Sequence, residues 1–254
     1  MTRLSDAAWR EYLSTFHRER PGITEDVLSA SLSAQGISPY FWITAPIPFG
    51  ARTLDLACGS GPNLRLRPQE PWIGLDHSAS ELSRARRSGT HNVLDGDATS
   101  LPFADGSFDA VVCSMALMLI QPLERALTEV HRVLTRGGLF VVTMPGRRPL
   151  RVRDVVRYAR LVSRLGRHNL SYPNMRALSH VPALFEEHGF DVVDDVRTRF
   201  DFPLTSLERS ALFVRSLYLP GVTDSTLERG ERLAARWIGS TIAIPLRRIT
   251  VVRR

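Results

Sequence analysis

The chain has 254 residues, 43% of them hydrophobic, and a formal net charge of +7. This size and apolar content suit one substantial α/β domain. The two cysteines, Cys58 and Cys113, stand in apolar contexts, which argues against a disulfide framework or a structural zinc site and indicates a reduced, cytoplasmic setting. Charged residues interrupt the first 16 residues and no apolar run approaches the length of a membrane span, so we expect neither a signal peptide nor a transmembrane segment.

The positive charge is concentrated in one segment. All 33 basic residues are arginine, and eight of them lie between Arg147 and Arg167 with a single acid, Asp154. Elsewhere in the chain 25 arginines balance 25 acids. The net charge therefore describes one segment and gives little support to nucleic-acid binding by the chain as a whole.

The N-terminal part of the chain predicts a helical cap. Residues 4–35 have the pattern of one or two amphipathic helices, interrupted near Pro21 and Gly22, with Thr24 as the N-cap of the second. Prolines then indicate an irregular connector that carries an aromatic cluster, residues 40–42. We assign residues 1–48 to a cap outside the core sheet.

Strands and helices alternate between residues 49 and 146. The predicted strands cover residues 52–57, 72–76, 91–95, 108–113 and 138–143, and the predicted helices cover residues 62–67, 79–88 and 121–134. Gly137 and Gly138 are expected to end the last of these helices. Such alternation requires a mostly parallel sheet with helices on both faces.

The remaining sequence predicts a lid and the last part of the same domain. An amphipathic, arginine-rich helix lies within residues 147–178, which we interpret as a basic lid over the site. Residues 179–254 predict a helix over 179–188, long strands over 190–202 and 240–252, and a helical insertion over 204–237.

A glycine turn follows the first strand and indicates a nucleotide-like ligand. Residues 53–61 form a short apolar strand that contains Asp55 and runs into Gly59 and Gly61, where the backbone can approach a ligand closely. A phosphate loop would need Lys and Ser or Thr after the last glycine, but residues 62–63 are Pro-Asn. A dinucleotide fingerprint would need a third glycine, which is missing.

Two further carboxylates follow at equal spacing. Asp76 ends the second strand, 21 residues after Asp55, and Asp97 follows the third strand after another 21 residues. A carboxylate at the second strand end can accept hydrogen bonds from both hydroxyls of a ribose, and one at the third can accept from an adenine amino group. The three acids therefore predict a nucleoside site.

At this point the chain resembles the class I S-adenosylmethionine-dependent methyltransferases, in particular the small-molecule branch related to ubiquinone and menaquinone methyltransferases. The resemblance rests on residues 54–61, 74–78, 96–103, 105–109 and 134–138. It covers residues 50–145 well and the flanks poorly. The family usually has glycine where this chain has Ala57.

The resemblance implies a fold, a cofactor and a set of contacts. The fold is a Rossmann-like α/β sheet of seven mostly parallel strands, with the last strand antiparallel between the fifth and the sixth. The cofactor is S-adenosyl-L-methionine. Its expected contacts are Asp55, Ala57, Cys58, Gly59, Gly61, Asp76, His77, Asp97, Ala98 and Ser114.

The acceptor is expected near the end of the fourth strand. Residues 113–118 are mostly apolar, which favours an apolar or aromatic small molecule over a flipped base. The predicted acceptor contacts are Trp42, Met115, Met118 and Tyr172. Transfer to a hydroxyl can use a general base, for which His17 and His168 are the candidates.

Alternatives stay open for the reaction and for the basic helix. The chain could bind the cofactor while running an isomerisation or cyclisation, or it could be a nucleic-acid-binding relative recruited by the arginines. The basic helix could be a solvated face. It could instead contact an acidic carrier protein or an anionic surface, through Arg147, Arg153, Arg157, Arg160 and Arg164.

Overall fold

The computed structural model describes residues 4–167 and 170–254. The strands are β1 Thr53–Leu56, β2 Trp72–Asp76, β3 Val93–Asp95, β4 Phe108–Ser114, β5 Leu134–Pro145, β6 Phe190–Leu204 and β7 Ser240–Arg253. The helices are α1 Asp6–Glu19, α2 Ile23–Ser29, α3 Pro39–Thr44, α4 Pro62–Leu66, α5 Ala79–Arg87, α6 Leu123–Val133, α7 Val152–Arg164, α8 Arg176–Ser179, α9 Val181–Glu187, α10 Leu207–Arg215 and α11 Asp224–Ala235. The candidate base His168 lies outside the described residues.

The described strands form one mixed sheet of seven strands in the order β3-β2-β1-β4-β5-β7-β6. The pairs from β3 through β5 are parallel, whereas β7 runs antiparallel to both β5 and β6. The predicted fold and the antiparallel insertion of the last strand between the fifth and the sixth are therefore confirmed. Because the carboxyl ends of β1, β2, β3 and β4 meet at one edge, the residues that follow them share one site.

The central strands are buried on both faces. In β4, Val111 and Cys113 belong to one apolar layer, while Ala110 and Val112 belong to the layer on the opposite face. Successive residues of a strand point to opposite faces of the sheet. Because both faces are buried here, the sequence of β4 is continuously apolar. A third apolar cluster covers the C-terminal part of β6 and the N-terminal part of β7 with residues from α7, α10 and α11.

Two expectations for the N-terminal region are wrong. The aromatic cluster belongs to α3 rather than to an irregular connector, because Pro39 opens the helix and the Ser38 hydroxyl accepts from the Phe41 N–H at 3.2 Å. The second helix begins after Gly22, which has a left-handed φ of 75°, so Thr24 lies inside the helix and does not cap it.

The two glycines after α6 lie in a strand. The helix ends at Val133, and β5 already begins at Leu134, so Gly137 and Gly138 do not end the helix. Gly137 has a left-handed φ of 75°, and the register between β4 and β5 shifts beside it. The pair therefore forms an irregularity within the strand, a role that glycine fills without steric cost.

The basic helix α7 packs on the C-terminal helical insertion. Its inner face holds Leu161, which is fully buried in the cluster with α11, and Tyr158, whose hydroxyl donates to the Ala243 carbonyl at 2.5 Å. Asp154 is also fully buried and pairs with the Arg199 guanidinium of β6. These contacts fix the helix over β6 and β7.

Candidate functional site

A cavity of about 420 Å³ opens at the carboxyl ends of the central strands. Its walls come from the segments that follow β1, β2, β3 and β4, and α1 adds another wall with Arg10, Leu13, Ser14 and His17. Nine of the ten predicted cofactor contacts line it: Asp55, Ala57, Cys58, Gly59, Asp76, His77, Asp97, Ala98 and Ser114. The topology thus brings together predicted contacts that are up to 59 positions apart in sequence, from Asp55 to Ser114.

Asp76 holds the glycine turn in place. One of its carboxylate oxygens accepts from the Gly59 N–H at 2.8 Å, and the other accepts from the Ser78 N–H at 2.8 Å. Only 9% of the Asp76 side chain is exposed. Each oxygen keeps a further lone pair for a ligand donor, so the same carboxylate can shape the turn and receive a hydroxyl.

The turn combines left-handed backbone with open space above it. Gly59 has a φ of 54°, and a Cβ built there would meet, among the described residues, only Glu81 Oε2 at 3.8 Å. Ala57 also has a positive φ, 55°, which accounts for the glycine that the resembled family prefers at this position. Gly61 faces away from the cavity, and a Cβ there would lie 2.9 Å from Thr90 Cγ2.

Asp55 is a fully buried carboxyl in the cavity wall. Burial raises its pKa to about 8, while the hydrogen bond from Asn63 Nδ2, 3.2 Å from Oδ1, opposes the rise and the charge of Asp76 adds to it. Among the described residues its Oδ2 has no hydrogen-bond partner. A buried carboxyl with an unsatisfied oxygen at a cavity is suited to a cationic ligand group, which would favour its ionised form.

Asp97 and His77 lie at the solvent side of the lining. Asp97 is exposed, and its Oδ1 accepts from the Thr99 N–H at 2.8 Å. The side chain of His77 is 72% exposed, with Nδ1 3.9 Å from Asp76 Oδ1. Both residues can therefore reach a ligand at the cavity mouth without displacing a packed side chain.

A hydrogen-bonded triad lines the cavity next to the glycine turn. His17 Nδ1 lies 3.0 Å from Glu81 Oε1, and His17 Nε2 lies 3.3 Å from the Tyr218 hydroxyl. Glu81 Oε2 accepts from the Gly22 N–H at 2.8 Å, which holds the carboxylate against the start of α2. With Nδ1–H donated to Glu81, Nε2 is left as a proton acceptor.

Sequence reasoning finds only His17 of this triad. Glu81 lies on the same face of α5 as the buried residues Leu82 and Ala85. An acid on the apolar face of a helix needs a partner, and this pattern could have indicated Glu81. Tyr218 follows α10, more than 200 residues after His17, and no local pattern links the two. Burial raises the pKa of Tyr218 well above its ordinary value.

The lining that comes from Leu13 of α1 and from the segment after β4 is apolar. Leu13, Met115, Ala116, Leu119 and Ile120 contribute to it, and Met115 has a positive φ of 57°. A left-handed backbone costs a non-glycine residue of order 1 kcal/mol or more, and such strain clusters at functional sites. The predicted acceptor contact Met115 therefore lies in the cavity wall.

The other predicted acceptor contacts do not line this cavity. Met118 is 1% exposed within the core, and Trp42 packs against Phe200 and under the Arg248 guanidinium, 4.9 Å from the ring centroid. Tyr172 lies behind the wall, with its ring centroid 6.4 Å from that of Tyr218. Packing with distant elements, which sequence spacing does not reveal, directs the first two away from the site.

The basic helix lies away from the cavity. The described residues of segment 147–167 do not line the cavity, because the inner face of α7 is used to cover β6 and β7 instead. The described part of the chain contains no group of three His, Cys, Asp or Glu side chains that could hold a metal ion. Within that part, the helices are also too short or too polar to cross a membrane.

Comparison with known proteins agrees with this geometry. Residues 54–142 match the family described as a methyltransferase domain. A demethylmenaquinone methyltransferase of Renibacterium salmoninarum is 37% identical over 128 residues, which cover 47% of this chain and 52% of that protein. A 2-phytyl-1,4-naphtoquinone methyltransferase of Thermosynechococcus vestitus is 36% identical over 101 residues, which cover 36% of this chain and 45% of that protein.

The fold extends beyond the matched segment. A solved SAM-dependent methyltransferase of Thermotoga maritima superimposes with a TM-score of 0.55 at 17% identity, covering 96% of this chain and 99% of that one. At this identity the likeness concerns the fold alone. In sequence, the chain spans about half the length of the curated relatives it matches.

Proposed function

We propose that this chain, which carries a class I S-adenosylmethionine-dependent methyltransferase domain, transfers a methyl group to a small, largely apolar or aromatic acceptor. The observation that supports the proposal is one cavity with two chemically different parts. One part has the carboxylates of Asp55 and Asp76 beside the open turn at Gly59. The other part has the apolar wall around Met115 and Leu119.

The residues of the polar part fit S-adenosyl-L-methionine. Asp76 retains lone pairs for the ribose hydroxyls, Gly59 leaves space for the ligand, and the unpaired Asp55 Oδ2 suits the amino group of the methionine end. When bound, the sulfonium supplies an electrophilic methyl group. The protein's own contribution is then to orient the acceptor and to exclude water from the cavity.

The triad gives this cavity a group that can take a proton. His17 Nε2 is the proton acceptor, and Glu81 stabilises the imidazolium that forms. The Tyr218 hydroxyl, 3.3 Å from Nε2, can donate to the imidazole or pass a proton to it. We infer that His17 acts as general base toward an acidic hydroxyl of the acceptor, and that the proton leaves to solvent through the 20% of its side chain that is exposed.

The acceptor class follows from the apolar wall and the base together. An aromatic ring with a hydroxyl group, as in a reduced quinone, offers both an apolar face and an ionisable proton. The names of the relatives, which refer to menaquinone and naphthoquinone compounds, are consistent with this class. We therefore propose a quinol-type acceptor, methylated either on oxygen or on the ring carbon that ionisation of the hydroxyl activates.

The test uses the purified chain, methyl-labelled S-adenosylmethionine and 1,4-dihydroxynaphthalene under nitrogen. We expect a labelled product and one equivalent of S-adenosylhomocysteine per product, both measured by mass spectrometry. Naphthalene, which lacks the hydroxyls, is the matched control acceptor and should give neither. Binding of the cofactor without its consumption across a panel of aromatic hydroxyl compounds would contradict methyl transfer and favour an isomerase or cyclase.

A further inference from the structure

The helix α7 presents an apolar stripe to solvent. Val152, Val155 and Val156 have exposed fractions of 82%, 54% and 43%. Their spacing of three and four residues places them on one side of the helix, with the exposed Ala159 one turn further on. The apolar residues of this helix therefore lie on two sides, and only the side that contains Leu161 is buried within the chain.

This exposure belongs to a helix that is firmly attached. Asp154 is fully buried, accepts from the Arg151 N–H at 2.8 Å and pairs with Arg199. Arg157 donates to the Thr241 carbonyl at 2.7 Å and lies over the Trp237 ring. The valines are thus held outward by a fixed helix, and their exposure does not come from a loosely packed end.

Unpaired positive charge flanks the stripe. Arg160 and Arg164 of α7, Arg229 of α11 and Arg236, which directly follows α11, line a groove between the two helices. Among the described residues, no carboxylate oxygen lies within 4.0 Å of these four guanidinium groups, since Glu228 and Glu231 of α11 pair with Arg232 and Arg215. Asp154, the only acid of the segment, is buried against Arg199. The groove is therefore suited to phosphate groups.

We propose that α7 docks this protein on the surface of an anionic lipid bilayer. The valines enter the boundary between headgroups and acyl chains, and the arginines of the groove bind lipid phosphates. A bilayer offers an apolar layer directly beneath a plane of phosphates, which matches valines flanked by arginines, and this is why we prefer it to an acidic protein or a nucleic acid. Docking in the plane of the surface requires no membrane-spanning helix, and it does not depend on methyl transfer.

The test is vesicle co-sedimentation of the full chain. Vesicles of phosphatidylglycerol and phosphatidylcholine are compared with vesicles of phosphatidylcholine alone, at low and high salt. We expect binding to the anionic vesicles only, weakened by salt. The double variant Arg160→Glu/Arg164→Glu should lose roughly tenfold or more in partition coefficient. Arg87→Glu/Arg136→Glu, which changes the net charge equally at exposed sites away from α7, should bind like the parent.

Variants at the exposed valines distinguish a bilayer from another anionic partner. Val152→Gln/Val156→Gln keeps the charge and should still lose binding, whereas Val193→Gln, at a valine of β6 that is 58% exposed, should not. Circular dichroism melts check that each variant is folded. Absence of binding by the parent, equal losses in the control variants, full binding by the valine variant, or tighter binding to a DNA or RNA oligonucleotide than to vesicles would overturn the proposal.

Discussion

His17 Nδ1 lies 3.0 Å from the Glu81 carboxylate, although the two residues are 64 positions apart in the chain. The contact joins the helical cap to the helix that follows the second strand. It fixes the imidazole tautomer and aims Nε2 at the Tyr218 hydroxyl, 3.3 Å away, inside the cavity wall. A histidine with a buried carboxylate partner on one ring nitrogen and a second nitrogen left to accept a proton is the usual arrangement of a general base.

Replacement of His17 should separate catalysis from cofactor binding. We expect His17→Ala to lower kcat for a hydroxyl-bearing acceptor by about 10²- to 10⁴-fold, the usual contribution of a general base. Cofactor affinity, measured by calorimetry, should change much less. The control is His180→Ala, at an exposed histidine between α8 and α9. Unchanged turnover in His17→Ala would exclude the base and leave His17 a structural role between α1 and α5.

Replacement of Asp76 should weaken cofactor binding, both at the ribose and through the turn that its carboxylate holds. In Asp76→Asn the charge-assisted hydrogen bonds to a ribose are lost, which corresponds to about 1.5–3 kcal/mol and thus to an affinity weaker by roughly 10- to 150-fold. Calorimetric titration with S-adenosylhomocysteine measures it. Asp191→Asn, at an acid whose side chain is 63% exposed, is the matched control. Equal affinities for the Asp76 variant and the parent would contradict the ribose assignment.

Asp55 should make the stability of the cofactor-free protein depend on pH. Its pKa is raised to about 8 from an ordinary value of 3.8, so its favourable contribution is fully present below pH 3.8 and is lost as the pH rises through about 8. Asp55→Asn mimics the neutral form. We expect the variant to melt at least about 3 °C above the parent at pH 8.5 and close to it at pH 4.

The comparison of the two melting curves also identifies the cause. If the difference between parent and variant does not grow between pH 4 and pH 8.5, Asp55 is ionised throughout that range. Saturating S-adenosylhomocysteine should reduce the advantage of the variant at pH 8.5, because an ammonium group near Oδ2 stabilises the ionised parent.

Gly59 should matter for binding more than for folding. A methyl group at Gly59 would project into open space, with Glu81 Oε2 at 3.8 Å as its only described neighbour within 4 Å, and this space belongs to the ligand site. Gly59→Ala should therefore weaken cofactor affinity by about tenfold or more. Gly106→Ala is a matched control, since Gly106 also has a left-handed φ, 62°, and open surroundings but does not line the cavity. Similar affinities in the two variants would count against close approach at Gly59.

Local patterns account well for the central sheet. The predicted strand 72–76 coincides with β2. The predictions for β1, β4, β6 and β7 differ from the structure by no more than two residues at either end. β2 is an apolar run that ends at Asp76, and β6 and β7 begin directly after Gly189 and Gly239, so turn residues mark these bounds in the sequence. The errors arise where two local signals compete. Pro39 both interrupts a chain and opens a helix, and Gly137 and Gly138 both end helices and interrupt strands.

The sequence by itself determined the cofactor half of this protein, because the glycine turn, Asp55 and Asp76 are tied to strand ends by short-range geometry. Only the tertiary structure decided the rest of the site. Contacts such as His17 with Glu81 and Tyr218 depend on how separate elements pack, and packing leaves no periodic trace in the sequence. The same reason explains α7, whose arginines were visible but whose outward valines became evident only once Leu161 and Asp154 were seen to be buried.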